Sequence, residues 1–238
     1  MPPEPSRFSN SSCSAVPKPI SCRALGQGRA SGNLERAKMI DVKAITELHL
    51  TTVARWHREE VDDPYEGFLH LVCHQHRRNY LLWHQEDIAR SPDAGDPTVA
   101  QVKRTIDRLN QERNDHIELL DDYLVERLAD WGARPRPKAK LNTETPGSVI
   151  DRLSVLALRL YHMEEQAARS DASEEHRARA QARLAILREQ HADLSRSLAE
   201  LLADVFAGRK RLKVYRQFKM YNDPTMNPYL YGSKRPAA

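Results

Sequence analysis

The sequence contains no run of eighteen or more apolar residues, which excludes a helix long enough to cross a bilayer. It is also poor in glycine, with 9 among 238 residues, and nowhere do β-branched and aromatic residues alternate over the length of a strand. Leu, Ala, Arg and Glu are instead frequent, and 29% of the residues are charged. This composition is typical of a helical protein, so we predict an all-α fold.

Cysteine is equally scarce. Cys13, Cys22 and Cys73 form neither a metal-binding spacing nor a disulfide framework, and the chain lacks the apolar core of a secretory signal. We therefore expect a protein of the reducing cytoplasm. No glycine-rich phosphate loop and no His-Glu-x-x-His motif is present, and the sequence identifies no cofactor.

The formal charge of +4 belongs entirely to the N-terminal segment, residues 1–38. That segment holds six Lys and Arg and two Asp and Glu, so the rest of the chain carries 31 residues of each sign. A neutral body has no general attraction for nucleic acid, which is therefore not favoured as a partner. The segment lacks apolar periodicity, and we expect it to be disordered or to precede the true start at Met39. A transit peptide is a less favoured interpretation.

The remaining sequence predicts one helical domain over residues 39–231 and a flexible tail over residues 232–238. We expect a single bundle of about five main helices, two of them long. The third, at about 1.5 Å per residue, would be about 50 Å in length. The predicted helices are 39–60, 64–90, 97–131, a fourth opening at Thr145 and Pro146, and a fifth that begins near 171–173 and ends at Gly208.

The prediction also covers the start of the fifth helix and two segments outside the helices. The fifth helix is expected to open with a capping box formed by Asp171 and Glu174. Residues 132–142, rich in Pro, Lys and Arg, should cross the surface as a linker. Residues 209–231, in which basic residues alternate with tyrosine and phenylalanine, should pack back on the bundle as an ordered loop.

Polar residues recur at helical spacing on the second and third helices, which a short turn joins. On the third helix they fall within an arc of roughly 60°. The second-helix residues are Asn79, Trp83, Glu86 and Arg90, and the third-helix residues are Lys103, Asp107, Asn110, Asn114 and Asp121. Three interpretations remain open: a ligand or catalytic site, a buried polar zipper that fixes the register of the two helices, and plain surface exposure.

Other polar residues also allow a functional or a structural interpretation. Asp151 and His162 lie on one side of the mostly apolar fourth helix, where they could act as an acid-base pair, but a salt bridge from Asp151 to Arg113 or Arg152 is equally consistent. His70 and His74 are one helical turn apart and could share a metal. Solvated histidines are the favoured interpretation there, so no metal site is predicted.

Four stretches in the same order resemble one bacterial family. They are NYLLWHQEDIAR, KRTIDRLNQERNDHIELLDDYL, PGSVIDRLSVLALRLYHMEE and YRQFKMYNDPTMNPYLY, and the resemblance covers about residues 40–231. The family is domain-of-unknown-function family 4254, so the resemblance implies membership without an activity. Its members occur in bacteria with many surface-glycan genes, which is an association and does not identify a substrate.

Our functional hypothesis is binding, with turnover as a further option, of a small anionic molecule such as a phosphosugar or nucleotide sugar. Glu86 or Asp107 would be the general base if chemistry occurs. The other expected ligand-binding residues are Asn79, Trp83, Arg90, Lys103, Asn110, Asn114, Asp151, Arg216, Lys219 and Tyr221. One alternative is a non-enzymatic adaptor or homo-oligomer, and another is RNA binding through residues 209–221.

Overall fold

The computed structural model describes residues 40–217, 220 and 223–232, and within them the fold is all-α, as predicted. Five main helices form one bundle. The predicted properties of residues 1–38 and 233–238 lie outside the described residues. The helices are α1 (Val42–Trp56), α2 (Gly67–Arg90), α3 (Asp96–Asp130), α4 (Pro146–Ala168), α5 (Glu174–Phe206) and the short α6 (Pro228–Gly232).

Polar side chains cap three of the helix starts. The carboxylate of Asp41 accepts a hydrogen bond from the amide of Lys43, and Thr145 caps α4, whose first residue is Pro146. The prediction that Asp171 caps α5 in a capping box is wrong. Ser173 caps α5 through the amide of His176, while Asp171 instead forms an ion pair with Arg169.

The end of α5 follows the sequence prediction. Gly208 has a φ of +68°, a left-handed conformation that suits glycine, and the amide of Arg209 returns to the carbonyl of Asp204 at 2.8 Å. The expected surface linker also has a regular part. Its two-residue strand β1 (Lys140–Leu141) pairs in parallel with β2 (Lys210–Arg211), which follows α5.

Helix α4 lies at the centre of the bundle, as its nearly uniform apolar sequence predicts. It contacts α1, α2, α3 and α5. Ile150, Leu153 and Leu158 are almost completely buried, and they share one core with Ile45 and Leu198. Burial of each such side chain contributes about 1.5–3 kcal/mol, so the core fixes the faces that α4 presents to its neighbours.

The hairpin of α2 and α3 has a smaller apolar cluster of its own. Leu82 on α2 packs with Val102, Ile106 and Leu109 on α3, near the short turn between the helices. Among the described residues, none of the helices combines the length and the apolar character that a bilayer span requires.

The described part of the C-terminal segment packs back on the bundle, as expected. Arg216 donates to Glu118 at 2.9 Å and to both carboxylate oxygens of Asp122 at 2.8 Å, and the amide of Gln217 donates to Glu118. Arg216 therefore neutralises acids on α3. Lys219 and Tyr221, which we expected to bind the ligand, lie outside the described residues.

Candidate functional site

A buried polar network joins α2, α3 and α4. Asp151 Oδ1 accepts hydrogen bonds from Gln75 Nε2 at 2.6 Å, Asn79 Nδ2 at 2.9 Å and Arg113 Nε at 2.7 Å. Arg113 Nη2 donates to the second carboxylate oxygen, and Asn79 Nδ2 also lies 2.9 Å from Ser154 Oγ. One carboxylate thus receives donors from two other helices.

Helical spacing brings these side chains together. Gln75 and Asn79 are one turn apart on α2, while Asp151 and Ser154 are one turn apart on α4. The hydrogen bond to Asp151 raises the pKa of Arg113, so the guanidinium keeps its charge in this partly buried position. The sequence allowed either a salt bridge to Arg113 or an acid-base role for Asp151. The structure contains the salt bridge.

Two buried histidines lie beside the network. His76 Nδ1 is 2.7 Å from Ser154 Oγ, and its ring packs 4.7 Å from the ring of His49. Burial lowers the pKa of His76 to about 3 and lowers the pKa of His49 well below its usual value. Both rings are consequently neutral, and they extend the polar interior towards α1.

The network opens on one side into a surface cavity of about 610 Å³ between α3, α4 and α5. The pair Arg113 and Asp151 lies at its α3 side. Three of the residues that line this cavity are arginines. The cavity is lined by Arg113, Asp151, Arg152, Arg159, Gln190, Asp193 and Ser197, among other residues.

Two further cavities adjoin this one. One, of about 440 Å³, lies between α2, α3 and α4, and the other, also about 440 Å³, lies between α2, α4 and α5 and is mainly apolar. Arg159 lines all three cavities, and Trp83 lines the second and third. We call this continuous concave surface the Arg159 groove.

Most arginines that line the Arg159 groove are paired with acids, and the acids Asp87 and Asp193 line it as well. Arg90 is paired with Glu86 at 2.8 Å and Arg152 with Glu144 at 2.8 Å. Arg159 and Arg183, by contrast, have no acidic partner within the described part of the chain. A guanidinium without a carboxylate partner is free to bind an anion.

The structure brings about half of the expected site residues to the groove. They are Asn79, Trp83, Glu86, Arg90, Asn110 and Asp151. Asn79 is buried, and its side-chain amide already donates a hydrogen bond to Asp151. Lys103 and Asp107 form an ion pair on α3 outside the three cavities, and half-buried Asn114 also lies outside them.

His162 lies in the groove but in a different cavity from Asp151. Its ring stacks on Trp83 with centroids 4.8 Å apart and an angle of 8°, and its Nδ1 is 2.9 Å from Glu165. His162 lines the apolar cavity, whereas Asp151 lines the cationic one. The structure therefore gives no support to an acid-base pair of these two residues.

Sequence reasoning missed the arginine face of α4. Arg152 and Arg159 are seven residues apart, and they fall on one side of a helix whose remaining sides are apolar. That spacing was the available signal. Gln190 on α5 carried none, because α5 is polar over most of its surface.

One group of side chains has the composition of a metal site. Asp63, His70 and His74 place one potential ligand atom each within 4.8 Å of one another. None of the three lines the cavities of the groove.

Comparison with known proteins gives one match. The sequence model of a family described as "Protein of unknown function (DUF4254)" matches residues 69–214. Neither the curated proteins nor the solved structures gave a match.

Proposed function

The chain belongs to the DUF4254 family of unknown function, and we propose that it binds a small anionic molecule in the Arg159 groove. One observation carries the proposal: three adjoining cavities meet at Arg159, whose guanidinium has no acidic partner among the described residues. An uncompensated guanidinium on a concave surface is the feature that phosphate recognition uses.

The cationic cavity suits a phosphate group. Arg113 is held in place because Asp151 accepts from both its Nε and its Nη2. A fixed planar guanidinium binds an oxyanion with little further loss of side-chain freedom. Because Asp151 compensates the charge of Arg113, Arg159 would supply the unpaired cation, and the amide of Gln190 would bond a hydroxyl or phosphate oxygen.

The neighbouring cavities suit the rest of a nucleotide sugar or phosphosugar. Trp83 offers an indole ring, and Met163 and Leu187 give the third cavity its apolar character. Asn110 lines the second cavity beside Trp83, where an amide can orient a sugar hydroxyl. The surface-glycan setting of the family supports a sugar in the ligand, and the groove itself supports the anion and the ring.

Turnover of the ligand would require a general base, and the two carboxylates expected for this role differ in position. Glu86 lines the cavity that also contains Asn110 and Arg90. Asp107 pairs with Lys103 outside the groove. Glu86 is therefore the better placed of the two, although binding alone is the part of the proposal that the geometry supports.

Titration of the full chain with glucose 1-phosphate, UDP-glucose and inorganic phosphate tests the proposal, by thermal shift and by calorimetry. Arg159→Gln should weaken binding of every phosphate-bearing probe by about tenfold or more, because a charge-assisted bond to phosphate contributes about 1.5–3 kcal/mol. Trp83→Leu should weaken UDP-glucose more than glucose 1-phosphate.

Arg179→Gln is the matched control for this experiment. Arg179 lies on α5, its side chain is 64% exposed, and it does not line the groove. If none of the probes stabilises the protein, or if Arg159→Gln and Arg179→Gln behave alike, the proposed anion site is wrong.

A second candidate is a protein partner or a second copy of the chain, which the apolar cavity supports. Ile186 is 55% exposed on α5 at the edge of this cavity, next to Met163 and Leu187. An exposed apolar contact of this kind is common at interfaces. Light scattering after size exclusion should show a dimer that Ile186→Lys converts to a monomer, whereas a monomeric parent protein excludes self-association.

RNA binding through residues 209–221 has less support. Arg216 is paired with Glu118 and Asp122, so its charge is already compensated. The neutral charge balance of the chain after residue 38 adds no general attraction for nucleic acid.

A further inference from the structure

We propose that Asp63, His70 and His74 form a binding site for a divalent transition metal, with Zn²⁺ as the expected ion. The ligand atoms of the three residues lie within 4.8 Å of one another. Two imidazoles and one carboxylate are a common ligand set for zinc in proteins, with a fourth position left for water. The site is independent of the anion-binding function proposed for the Arg159 groove.

The two histidines come from one face of α2. His70 and His74 are four residues apart, and their ring centroids are 4.3 Å apart. Histidines at this spacing on a helix point in the same direction and can bind one ion. The helix thus supplies two ligands on a rigid element.

The third ligand comes from the connection between α1 and α2. Asp63 Oδ2 lies 2.6 Å from His70 Nδ1 and 3.2 Å from His74 Nε2, and its side chain is only 12% exposed. Asp63 Oδ1 accepts from the amide of Tyr65, which orients the carboxylate so that Oδ2 faces the histidines. This third ligand could not be inferred from the His70 and His74 spacing alone.

The two contacts of Asp63 are close to the separations that a bound ion requires. Tetrahedral zinc with bonds of about 2.0–2.2 Å separates its ligand atoms by roughly 3.4 Å. The 2.6 Å contact between Asp63 and His70 must therefore open by roughly 0.8 Å. Side-chain rotation at the half-exposed His70 permits this change.

Arg78 competes with the ion for His74. Its Nη1 lies 3.3 Å from His74 Nδ1, and metal binding at Nε2 would place the ring proton on Nδ1, which then repels a donor. Arg78 has two other partners, the carbonyl of His74 at 3.1 Å and the carboxylate of Glu112 at 3.4 Å. It can release the long contact and keep both of these.

The ion would stabilise a weak point of the fold. Helix α2 begins at Gly67 with a φ of +59°, and its cap residue Glu66 makes no side-chain capping bond. A metal held by Asp63 and the first turns of α2 would fix the connection on the helix. An ion that binds the folded state and not the unfolded state raises the melting temperature.

Competition between the metal-free full chain and a chromophoric chelator for Zn²⁺ tests the site. We expect one high-affinity equivalent, with a micromolar or smaller Kd at pH 7.5, and a rise in melting temperature on addition of Zn²⁺. His70→Ala, His74→Ala and the nearly isosteric Asp63→Asn should each weaken binding by more than about 100-fold, because second-shell losses alone reach 10–100-fold.

His176→Gln is the matched control, because His176 lies on α5 and makes no contact with Asp63 or the two histidines. It should leave the Kd and the zinc-induced thermal shift unchanged. Circular dichroism without metal checks that each variant is folded, and a variant that is not folded is replaced by His70→Gln or His74→Gln. Zinc affinity that survives Asp63→Asn, or falls equally in His176→Gln, overturns the proposal.

Discussion

Arg113 on α3 and Asp151 on α4 form a two-point ion pair at the point where the buried polar network meets the Arg159 groove. Arg113 Nε donates to Oδ1 at 2.7 Å and Nη2 donates to Oδ2. The carboxylate side chain is 7% exposed and the arginine side chain 29% exposed. The pair therefore joins the interior of the bundle to the cavity proposed to bind an anion, which both residues line.

Loss of Asp151 should destabilise the fold strongly. Asp151→Ala leaves Arg113 without its counterion and removes an acceptor from Gln75 and Asn79. Breaking a buried pair from one side costs about 3–5 kcal/mol, and the partial exposure of Arg113 places this case at the lower end. Urea unfolding at pH 7 should show a loss of about 3 kcal/mol.

A double-mutant cycle with Arg113→Met provides the control for this prediction. Because the two side chains contact each other, Arg113→Met combined with Asp151→Ala should cost less than the sum of the single changes. Strict additivity would show that the ion pair contributes nothing to stability.

The sequence predicted the helices well because their signals are local. Apolar periodicity and the proline after Thr145 define α4, and the left-handed Gly208 ends α5. The pairing of β1 with β2 was missed, because two-residue strands at residues 140 and 210 have no periodicity and are distant in sequence.

The candidate site was predicted only in part, for a physical reason. Helical spacing shows which side chains share a face, so Asn79, Trp83 and Glu86 were found together. It does not show which helix lies opposite. Arg113 and Arg159 reach the groove because α4 packs against both α3 and α5, and this tertiary arrangement has no local signature.

Gly147 should not tolerate a side chain. A Cβ at this position would lie 2.5 Å from the carbonyl oxygen of Ile117 and 2.9 Å from the carboxylate of Asp121. Both are closer than van der Waals contact, and backbone must move to relieve the first. Gly147→Ala should reduce the free energy of unfolding by about 1–3 kcal/mol, as overpacking usually does, and urea denaturation measures this loss.

Gly95→Ala is the matched control for Gly147→Ala. Its Cβ would meet only Pro97 Cδ at 3.8 Å, and its φ of −72° is open to any residue. A change below about 1 kcal/mol is expected there. Equal effects of the two substitutions would mean that the close packing of α3 against the start of α4 is unimportant.

Ionisation of Asp121 should oppose folding. Burial raises the pKa of Asp121 to about 6, although hydrogen bonds from Thr145 and the amide of Gly147 act in the opposite direction. Because the folded pKa lies above the unfolded value of 3.8, the folded state binds more protons between about pH 4 and 6. Stability is therefore lost as the pH rises through this window.

Asp121→Asn measures the effect of Asp121 directly, because the amide oxygen can still accept from Gly147 at every pH. Between pH 5 and pH 7 the parent protein should lose about 1 kcal/mol relative to this variant, which follows from the two pKa values. Parallel pH dependences of the two proteins in urea unfolding would contradict the raised pKa.

The buried His49 should have the opposite effect on the pH dependence of folding. Its side chain is 0% exposed, and neither ring nitrogen has a hydrogen-bond partner in the described part of the chain. Burial is the largest cause that lowers its pKa, and electrostatic repulsion from His76 and His191 lowers the pKa further. Below its ordinary pKa of about 6.5 the unfolded state binds a proton that the folded state excludes, so stability is lost as the pH falls.

His49→Leu should remove this acid sensitivity and keep the core filled. On going from pH 7 to pH 5 the parent protein should lose up to about 2 kcal/mol more than the variant, because one histidine must release its proton to fold. At pH 7 the variant should be at least as stable, since an apolar group replaces two ring nitrogens that have no partner among the described residues. A variant less stable at pH 7 and equally acid-sensitive would show that the His49 ring makes a polar contact that stabilises the fold.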